Sequence, residues 1–289
     1  MNKPQKTIGV FAPSSWVEQS DIQAAQNFIT AQGFTVQIHD QTYLRHHQSA
    51  GTHENKLRAF YDLWDNPDID IIWAAGGGNR CLHWIDAIDY MHLKSDKTVI
   101  GFSDVTALLN ALYAYNKGRP IHGPTFNRLH KTKRAMHIVP LLNGEKFSCT
   151  LEGAKILQEG HAKGPLIGGN LSLFQYLPQT LPGKFWEGSI LFLEDCNEEL
   201  SRIDRMLLHL KNLGVLQAIS GLIMGDFGEL PETGKPFGFT LEDIIREHVH
   251  GLDIPAVMTA PFGHGDILEP FPLIKTTEFN TSDLILRQQ

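Results

Sequence analysis

The chain has 289 residues, and its 25 Lys and Arg residues against 32 Asp and Glu residues give a formal net charge of −7 at pH 7. A hydrophobic fraction of 42% is enough to bury the core of one or two domains, which excludes a largely disordered chain. The acidic excess argues against a broad nucleic-acid-binding surface, and no run of ~20 apolar residues predicts a membrane span. The three cysteines are too few and too scattered for a disulfide framework or a cysteine metal site. We see no signal peptide and expect a cytoplasmic protein.

Short apolar runs alternate with segments of helical periodicity through the first 115 residues. The runs end at glycine, proline or polar turns, and the helical segments carry apolar residues three and four apart. This alternation predicts βαβ units and a parallel sheet with helices on both faces. The predicted strands are 7–13, 34–40, 69–75 and 98–102, and the predicted helices are 20–33, 54–65, a segment with Leu82 and Ile85, and 105–115.

The periodicity weakens between about residues 125 and 165, where basic residues cluster. We therefore predict an N-terminal α/β domain over 1–125, a linker over 126–164 and a C-terminal domain over 165–289. The C-terminal domain is expected to be mixed α/β. Its predicted strands are 189–195, 220–227, 254–260 and further strands after 271, and its predicted helices are 199–214 and 239–249.

The segment Gly101-Phe102-Ser103-Asp104 places a serine where a predicted strand ends and a helix begins. This strand–turn–helix context is that of a nucleophile elbow, although the sequence is not Gly-X-Ser-X-Gly. The turn exposes the hydroxyl, and the N–H groups at the start of the helix favour a developing oxyanion. A serine at this place also caps a helix well, and from the local sequence alone capping is the simpler interpretation.

A run of three glycines, Gly76 to Gly78, follows another predicted strand and is called the glycine loop below. Consecutive glycines allow the backbone to approach a ligand closely. The run is neither a Walker loop nor a dinucleotide fingerprint, so a phosphate site is only weakly indicated. A plain turn and a second oxyanion donor are the alternatives.

Two residues with acid–base chemistry follow predicted strands in the second half. Glu194 comes at the end of an apolar run, and His264 lies between Gly263 and Gly265. A histidine with an ordinary pKa of about 6.5 is a natural general base, and a carboxylate can orient it. Either could instead be an ordinary strand-end charge or a surface histidine. Together with Ser103 they are the three residue types that a serine acyl-transfer site uses.

Other histidines form two close groups, but neither has a convincing set of further ligands. These are the tandem His46-His47 and the pair His248 and His250. We therefore expect no metal site and no cofactor.

Several long segments, in the same order along nearly the whole chain, resemble the LD-carboxypeptidase family of serine peptidases. This family is also called the muramoyltetrapeptide carboxypeptidases and includes the microcin C7 immunity peptidases. The segment 100–113, IGFSDVTALLNALY, is similar to the family's nucleophile segment. The other similar segments are 8–15, 50–78, 121–124, 165–171, 191–214 and 261–264. Their combination favours the nucleophile over the capping interpretation of Ser103, whereas 265–279 resembles the family only loosely.

By position, the resemblance implies that Ser103 is the nucleophile, His264 the base and Glu194 the acid that orients the base. It also implies that the backbone N–H of Asp104 is one donor of the oxyanion hole. The active site is then expected in a cleft between the two domains, with the nucleophile on one and the base on the other.

The second oxyanion donor is expected in the glycine loop, where the chain departs from the family pattern. That pattern reads Gly-Gly-Tyr-Gly, followed by a small residue and Arg, whereas this chain reads Ala-Ala-Gly-Gly-Gly-Asn-Arg over 74–80. Arg80 still aligns if Ala74 and Ala75 replace the first two glycines. Gly77 then takes the fourth position of the motif and becomes the expected donor.

The resemblance further implies a fold and a reaction. The fold is a flavodoxin-like parallel sheet domain with a second, smaller mixed α/β domain, in a cytoplasmic homodimer without metal or cofactor. The reaction hydrolyses the bond between the L-centre of a diamino acid and a terminal D-alanine in murein tetrapeptide, during peptidoglycan recycling. Such a substrate has a free terminal carboxylate, for which the candidate ligands are Arg80, Arg202 and Arg205.

Two alternatives remain at this point. A microcin C7-type immunity peptidase would use the same machinery on peptidyl or aminoacyl sulfamoyl-adenylates and needs an aromatic platform for adenine. Candidates for the platform are Trp73, Trp84 and Trp186. A non-catalytic protein that binds small anions through the glycine loop would not need Ser103 at all.

Overall fold

The computed structural model describes residues 6–94 and 96–289. The chain divides into a first unit, Met1–Met136, and a second unit, His137–Gln289. Each unit has its own sheet and its own buried apolar residues. The sequence prediction of an α/β chain with two domains is confirmed.

The first unit contains the parallel sheet that the alternating pattern predicts. Its strands lie in the order β5-β4-β3-β1-β2, and every neighbouring pair is parallel. The carboxyl ends of β3 and β4, where the glycine loop and Ser103 follow, are therefore at the same edge of the sheet. The strands are β1 (Thr7–Phe11), β2 (Thr35–Ile38), β3 (Ile71–Ala74), β4 (Thr98–Gly101) and β5 (Arg119–His122).

The helices of this unit are α1 (Gln19–Thr30), α2 (His53–Asp65) and α3 (Thr106–Ala114). Thr52 and Asn55 form a capping box that starts α2, in which each side chain bonds to the backbone of the other. All of α3 except its last residue is buried, as expected for a helix that follows a central strand directly. Within the described residues, no helix has both the length and the apolar character needed to cross a membrane.

The helix predicted around Leu82 and Ile85 is wrong, because this segment forms two short 3-10 turns, Ile85–Ala87 and Tyr90–His92. The side chain of Asp89 accepts a hydrogen bond from the backbone N–H of Met91 at 3.2 Å. Such local bonds compete with helix continuation. Apolar residues three apart suit a 3-10 turn as well as an α-helix, so the spacing did not distinguish the two.

The second unit contains a mixed sheet in the order β6-β14-β13-β8-β9-β10-β11-β7. Its centre, from β8 to β11, is parallel, and its outer strands pair antiparallel. The strands of this sheet are β6 (Ser148–Thr150), β7 (Lys155–Gln158), β8 (His161–Asn170), β9 (Ile190–Cys196), β10 (Gly221–Gly228), β11 (Ala256–Met258), β13 (Ile274–Asn280) and β14 (Ile285–Gln288). The two-residue strand β12 (Phe271–Pro272) does not belong to this sheet. The helices are α4 (Ile138–Leu142), α5 (Leu171–Phe174), α6 (Leu177–Thr180), α7 (Leu200–Asn212), α8 (Val215–Ala218) and α9 (Leu241–Val249).

The segment 126–164 differs from the linker that the sequence analysis predicts. Its first residues, up to 136, belong to the first unit, and the rest belong to the second. In the second unit they form α4 and the strands β6 and β7, which pair at the two ends of the sheet. Edge strands this short carry too little alternation to be recognised from sequence. With them included, the second unit is slightly longer than the first, whereas the resemblance implies a smaller one.

Candidate active site

Ser103 lies in the tight turn that joins β4 to α3. Its φ is 61°, in the left-handed region that non-glycine residues rarely adopt. A Cβ on Gly101 would lie 2.3 Å from Cγ1 of Val105, so only glycine lets the helix start this close to the strand. The helix α3 has Val105 at its N-cap and no side-chain cap. The strained turn is typical of a nucleophile elbow, and the role of Ser103 as a nucleophile stays a prediction.

The glycine loop packs directly against this turn. A Cβ on Gly77 would lie 3.0 Å from Cβ of Ser103 and 3.4 Å from its Oγ. Ser15 holds the loop from the other side: its N–H donates to the carbonyl of Gly77 at 3.2 Å, and its Oγ accepts from the N–H of Asn79 at 3.1 Å. Ser15, which follows β1, was not recognised from sequence as part of the site. It fixes the backbone of the loop beside the serine.

Asp104, the residue after Ser103, stabilises the turn through its side chain. Its side chain is buried, and Oδ2 accepts the N–H of Cys81 at 2.8 Å. Burial raises the pKa of Asp104 above its ordinary value, although the hydrogen bond from Cys81 and the charge of Lys56 lower it. Asp104 thus ties the turn at Ser103 to the segment that follows the glycine loop.

Lys56 is a buried lysine that the sequence analysis did not identify. Its side chain is completely buried, and burial lowers its pKa although the charge of Asp104 raises it. Lys56 shares its face of α2 with Ala59, Phe60 and further apolar residues at helical spacing. A lysine on the apolar face of an amphipathic helix was therefore the signal that could have found it.

In the second unit, Glu194 and His264 form a hydrogen-bonded pair. Nδ1 of His264 donates to Oε2 of Glu194 at 2.7 Å. Glu194 is completely buried in β9, while 17% of the His264 side chain is exposed. An ionised carboxylate only accepts, so this contact fixes the proton on Nδ1 and makes Nε2 the atom that exchanges protons.

The turn that carries His264 lies close against β10. Gly263 has a φ of 138°, and a Cβ there would lie 2.7 Å from Cβ of Asp226. The N–H of Asp226 donates to the carbonyl of Phe262 at 2.7 Å. Glycine at position 263 is therefore what lets the histidine turn reach the end of the parallel strands.

The environment of His264 changes its basicity. Burial lowers the pKa of His264, but hydrogen bonds with Cys196 and Glu194 and the charge of Glu194 raise it, and the raising contributions prevail. The buried carboxylate favours the imidazolium over the neutral ring. Cys196 at the end of β9 is a further neighbour of His264 that the sequence analysis did not identify.

Asp195, the residue after Glu194, forms different hydrogen bonds. Its carboxylate accepts from Nδ2 of Asn170 at 2.9 Å and from the N–H of Ser172 at 2.8 Å. Successive side chains of a strand point to opposite faces, which separates the two acids. Burial and then the charge of Glu194 raise the pKa of Asp195 to about 6. Asp195 thus secures the start of α5, and Glu194 is the acid that bonds to His264.

The remaining candidate histidines and arginines lie elsewhere. His248 is buried and its Nε2 bonds to Asp204 at 2.9 Å, which joins α9 to α7. Arg202 pairs with Glu198 on the exposed side of α7, where Arg205 also lies. In residues 6–94 and 96–289, no three His, Cys, Asp or Glu side chains are grouped to hold a metal ion.

Comparison with known proteins identifies the family. The sequence matches the LD-carboxypeptidase N-terminal domain over residues 8–123 and the LD-carboxypeptidase C-terminal domain over 163–278. The chain belongs to the LD-carboxypeptidase family. It is 28% identical to a murein tetrapeptide carboxypeptidase from Pseudomonas aeruginosa, over 93% of this chain and 91% of that protein.

Solved structures support the same assignment. The muramoyltetrapeptide carboxypeptidase from Oxalobacter formigenes is 26% identical with a TM-score of 0.86, covering 98% of this chain and 97% of that one. A microcin C7 self-immunity protein has the same TM-score of 0.86 at 22% identity, covering 100% of this chain and 97% of that one. The second likeness is too low in identity to show more than a shared fold. The resemblance read from the sequence is confirmed, and the protein is a hydrolase of the LD-carboxypeptidase family.

The tryptophans proposed as an adenine platform are not exposed. Trp73 and Trp84 are buried, and their indole N–H groups donate to the carbonyls of Pro124 at 2.7 Å and Pro13 at 2.9 Å. Trp186 is buried in the second unit. These three residues support the packing of the LD-carboxypeptidase fold and give no support to a nucleoside site.

Replacement of Gly77 by alanine is expected to lower turnover by about 10- to 100-fold while the protein stays folded. The added Cβ would press on Ser103 at 3.0 Å and displace the loop by a few tenths of an ångström, and an oxyanion donor is sensitive to such shifts. Steady-state kinetics and thermal melting measure the two effects. Unchanged turnover would contradict the prediction that Gly77 is an oxyanion donor.

Proposed function

We propose that this LD-carboxypeptidase-family hydrolase releases the terminal D-alanine from murein tetrapeptide, with Ser103, His264 and Glu194 as its catalytic triad. The observation that carries the proposal is the 2.7 Å hydrogen bond between His264 and the buried Glu194. The strained turn at Ser103 supports it from the other unit. The substrate is inferred from the murein tetrapeptide carboxypeptidase that this chain resembles.

The chemistry follows from the roles of the three side chains. Oγ of Ser103 attacks the scissile carbonyl while Nε2 of His264 takes its proton, and Glu194 stabilises the resulting imidazolium. The backbone N–H groups of Asp104 and Gly77 receive the negative oxygen of the tetrahedral intermediate. His264 then returns the proton to the amine of the leaving D-alanine, which breaks the peptide bond and leaves an acyl-serine. Water, deprotonated by His264, hydrolyses the acyl-serine and restores the enzyme.

A comparison of two substrates tests the proposed function. Purified protein is incubated with murein tetrapeptide and, separately, with a peptidyl sulfamoyl-adenylate, and the products are identified by mass spectrometry. We expect released D-alanine from the tetrapeptide at the higher kcat/KM. A preference for the sulfamoyl-adenylate would replace the proposal with an immunity-type function.

Removal of metal ions is expected to leave activity unchanged, since the triad supplies the nucleophile and the base without a metal-bound water. The protein is dialysed against a strong chelator and assayed for D-alanine release before and after. Loss of activity that zinc restores would contradict the proposed mechanism.

The homodimer and the cytoplasmic location implied by the resemblance stay predictions. Light scattering of the purified protein measures the first, and fractionation of the cells that make it measures the second. A dimer is expected at micromolar concentration, and a monomer at every concentration would contradict it.

A further inference from the structure

A cavity of about 420 Å³ opens in the first unit beside the glycine loop. The proposed triad and oxyanion donors do not use it. Its lining includes the histidines of the loop before α2 together with Arg80, a polar composition that differs from an apolar pocket. The charged and hydrogen-bonding side chains of this lining include His46, His47, Gln48, His53, Glu54 and Arg80.

Arg80 is held in place at the cavity by its backbone and by a neighbouring ring. Its φ is 81°, a left-handed conformation that is costly for a side chain other than glycine. Its Nη2 donates to Nε2 of His53 at 3.2 Å. Burial and then the charges of Arg80 and Lys56 lower the pKa of His53. A guanidinium can only donate, so Nε2 of His53 is the acceptor in this contact, and Arg80 has further N–H donors for a ligand.

The cavity is connected to the nucleophile turn by short contacts. Gly77 packs on Ser103, and Arg80 follows Gly77 by three residues, a distance of chain that spans at most about 11 Å. Between them, Nδ2 of Asn79 donates to Oε1 of Gln48 at 3.3 Å, which joins the loop to the cavity wall. Each residue of an extended peptide spans ~3.5 Å. When the scissile carbonyl of a substrate contacts Ser103, a group one or two residues further along the peptide can therefore reach the cavity.

We propose that this cavity binds a carboxylate group of the peptide substrate, with Arg80 as its principal ligand. The proposal rests on the proposed function for the identity of the peptide. A guanidinium and imidazole N–H groups are the donors that recognise carboxylates in proteins. Glu54 adds one exposed negative charge to the rim, which opposes a phosphate dianion more than a single carboxylate.

Binding to an inactive enzyme tests the proposal without depending on turnover. Murein tetrapeptide is titrated by calorimetry into full-length Ser103→Ala protein, alone and combined with Arg80→Gln or with Arg58→Gln. Arg58 is an exposed arginine on α2 outside the cavity lining and serves as the matched control. We expect Arg80→Gln to weaken binding by about 10- to 100-fold and Arg58→Gln to leave it unchanged. Circular dichroism checks that each variant is folded.

Two amidated peptides distinguish the source of the carboxylate. One carries an amide at its C-terminus, and the other carries an amide in place of a carboxylate on the diamino acid side chain. The peptide that lacks the bound carboxylate should lose affinity for the Ser103→Ala protein and lose no more when Arg80→Gln is added. A non-additive loss of affinity of this kind, with either peptide, supports the proposal and identifies which carboxylate is bound.

Three results would overturn the proposal. They are no binding of the peptide, equal affinity of the Arg80→Gln and Arg58→Gln proteins for it, or a full further loss of affinity on adding Arg80→Gln with both amidated peptides. A parallel assay of wild-type protein separates these from failure of the proposed function. Release of D-alanine with Arg80-independent binding refutes the cavity alone. Arg80-dependent binding without release refutes the proposed reaction and supports the cavity.

Discussion

Replacement of Ser103 by alanine is expected to reduce D-alanine release by a factor on the order of 10⁴ or more. Without Oγ no acyl-serine can form, and losses of this size are typical when the nucleophile of a triad is removed. The substitution keeps Cβ in a position where the backbone φ is 61°, so the strain of the turn is unchanged. Folding should therefore survive, and the thermal midpoint should stay near that of the wild type.

A matched control separates this effect from general damage. Ser282→Ala changes an exposed serine in the turn before β14 and should retain full activity. Initial rates over a range of tetrapeptide concentrations measure kcat and KM for both variants. Activity of Ser103→Ala within tenfold of wild type would remove Ser103 from the mechanism.

For Glu194→Gln we expect turnover to fall by roughly 10³- to 10⁴-fold, with a smaller change in KM. The amide can offer its N–H to Nδ1 of His264, which would favour the wrong tautomer, and it cannot stabilise the imidazolium by charge. The contact to be lost is the 2.7 Å hydrogen bond to a completely buried carboxylate.

The same variant should change the pH profile of kcat/KM. The charge of Glu194 is one of the causes that raise the pKa of His264. The base must be neutral to act, so wild-type activity rises as the pH increases through this raised pKa. Without the carboxylate the pKa falls, and the acid limb of the remaining activity should move to lower pH.

Asp195→Asn is the neighbouring control for Glu194→Gln. Asp195 bonds to Asn170 and Ser172 rather than to His264, so its loss should lower stability more than turnover. If Glu194→Gln kept full turnover and an unshifted acid limb, Glu194 would be a strand-end charge with no catalytic role.

The parallel sheet of the first unit could be predicted because its signals are local. Apolar runs such as 98–102 stop at glycine, and a capping box begins α2 at Thr52. Ser103 could be recognised as a serine at the end of a strand for the same reason, because the signal lies in the adjacent residues. The family resemblance then connected it to Glu194 and His264, which are far away in sequence.

Other features depend on contacts that no local pattern records. The edge strands β6 and β7 have three and four residues, and pairing with distant strands decides their structure. The support of the glycine loop by Ser15 joins segments 62 residues apart in the chain, as the bond between Ser15 and Gly77 shows. Lys56 differs from these features. It was not predicted, although helical periodicity already places it on the apolar face of α2.

The most direct test of the central claim is the release of alanine from two tetrapeptides that differ only in the configuration of the last residue. Purified wild-type protein is incubated with each peptide at neutral pH, and free alanine is quantified by chiral mass spectrometry. An LD-carboxypeptidase should release D-alanine and leave the peptide that ends in L-alanine largely intact. Absence of D-alanine, or equal release from both peptides, would contradict the assignment of this chain as an enzyme specific for the L,D-bond.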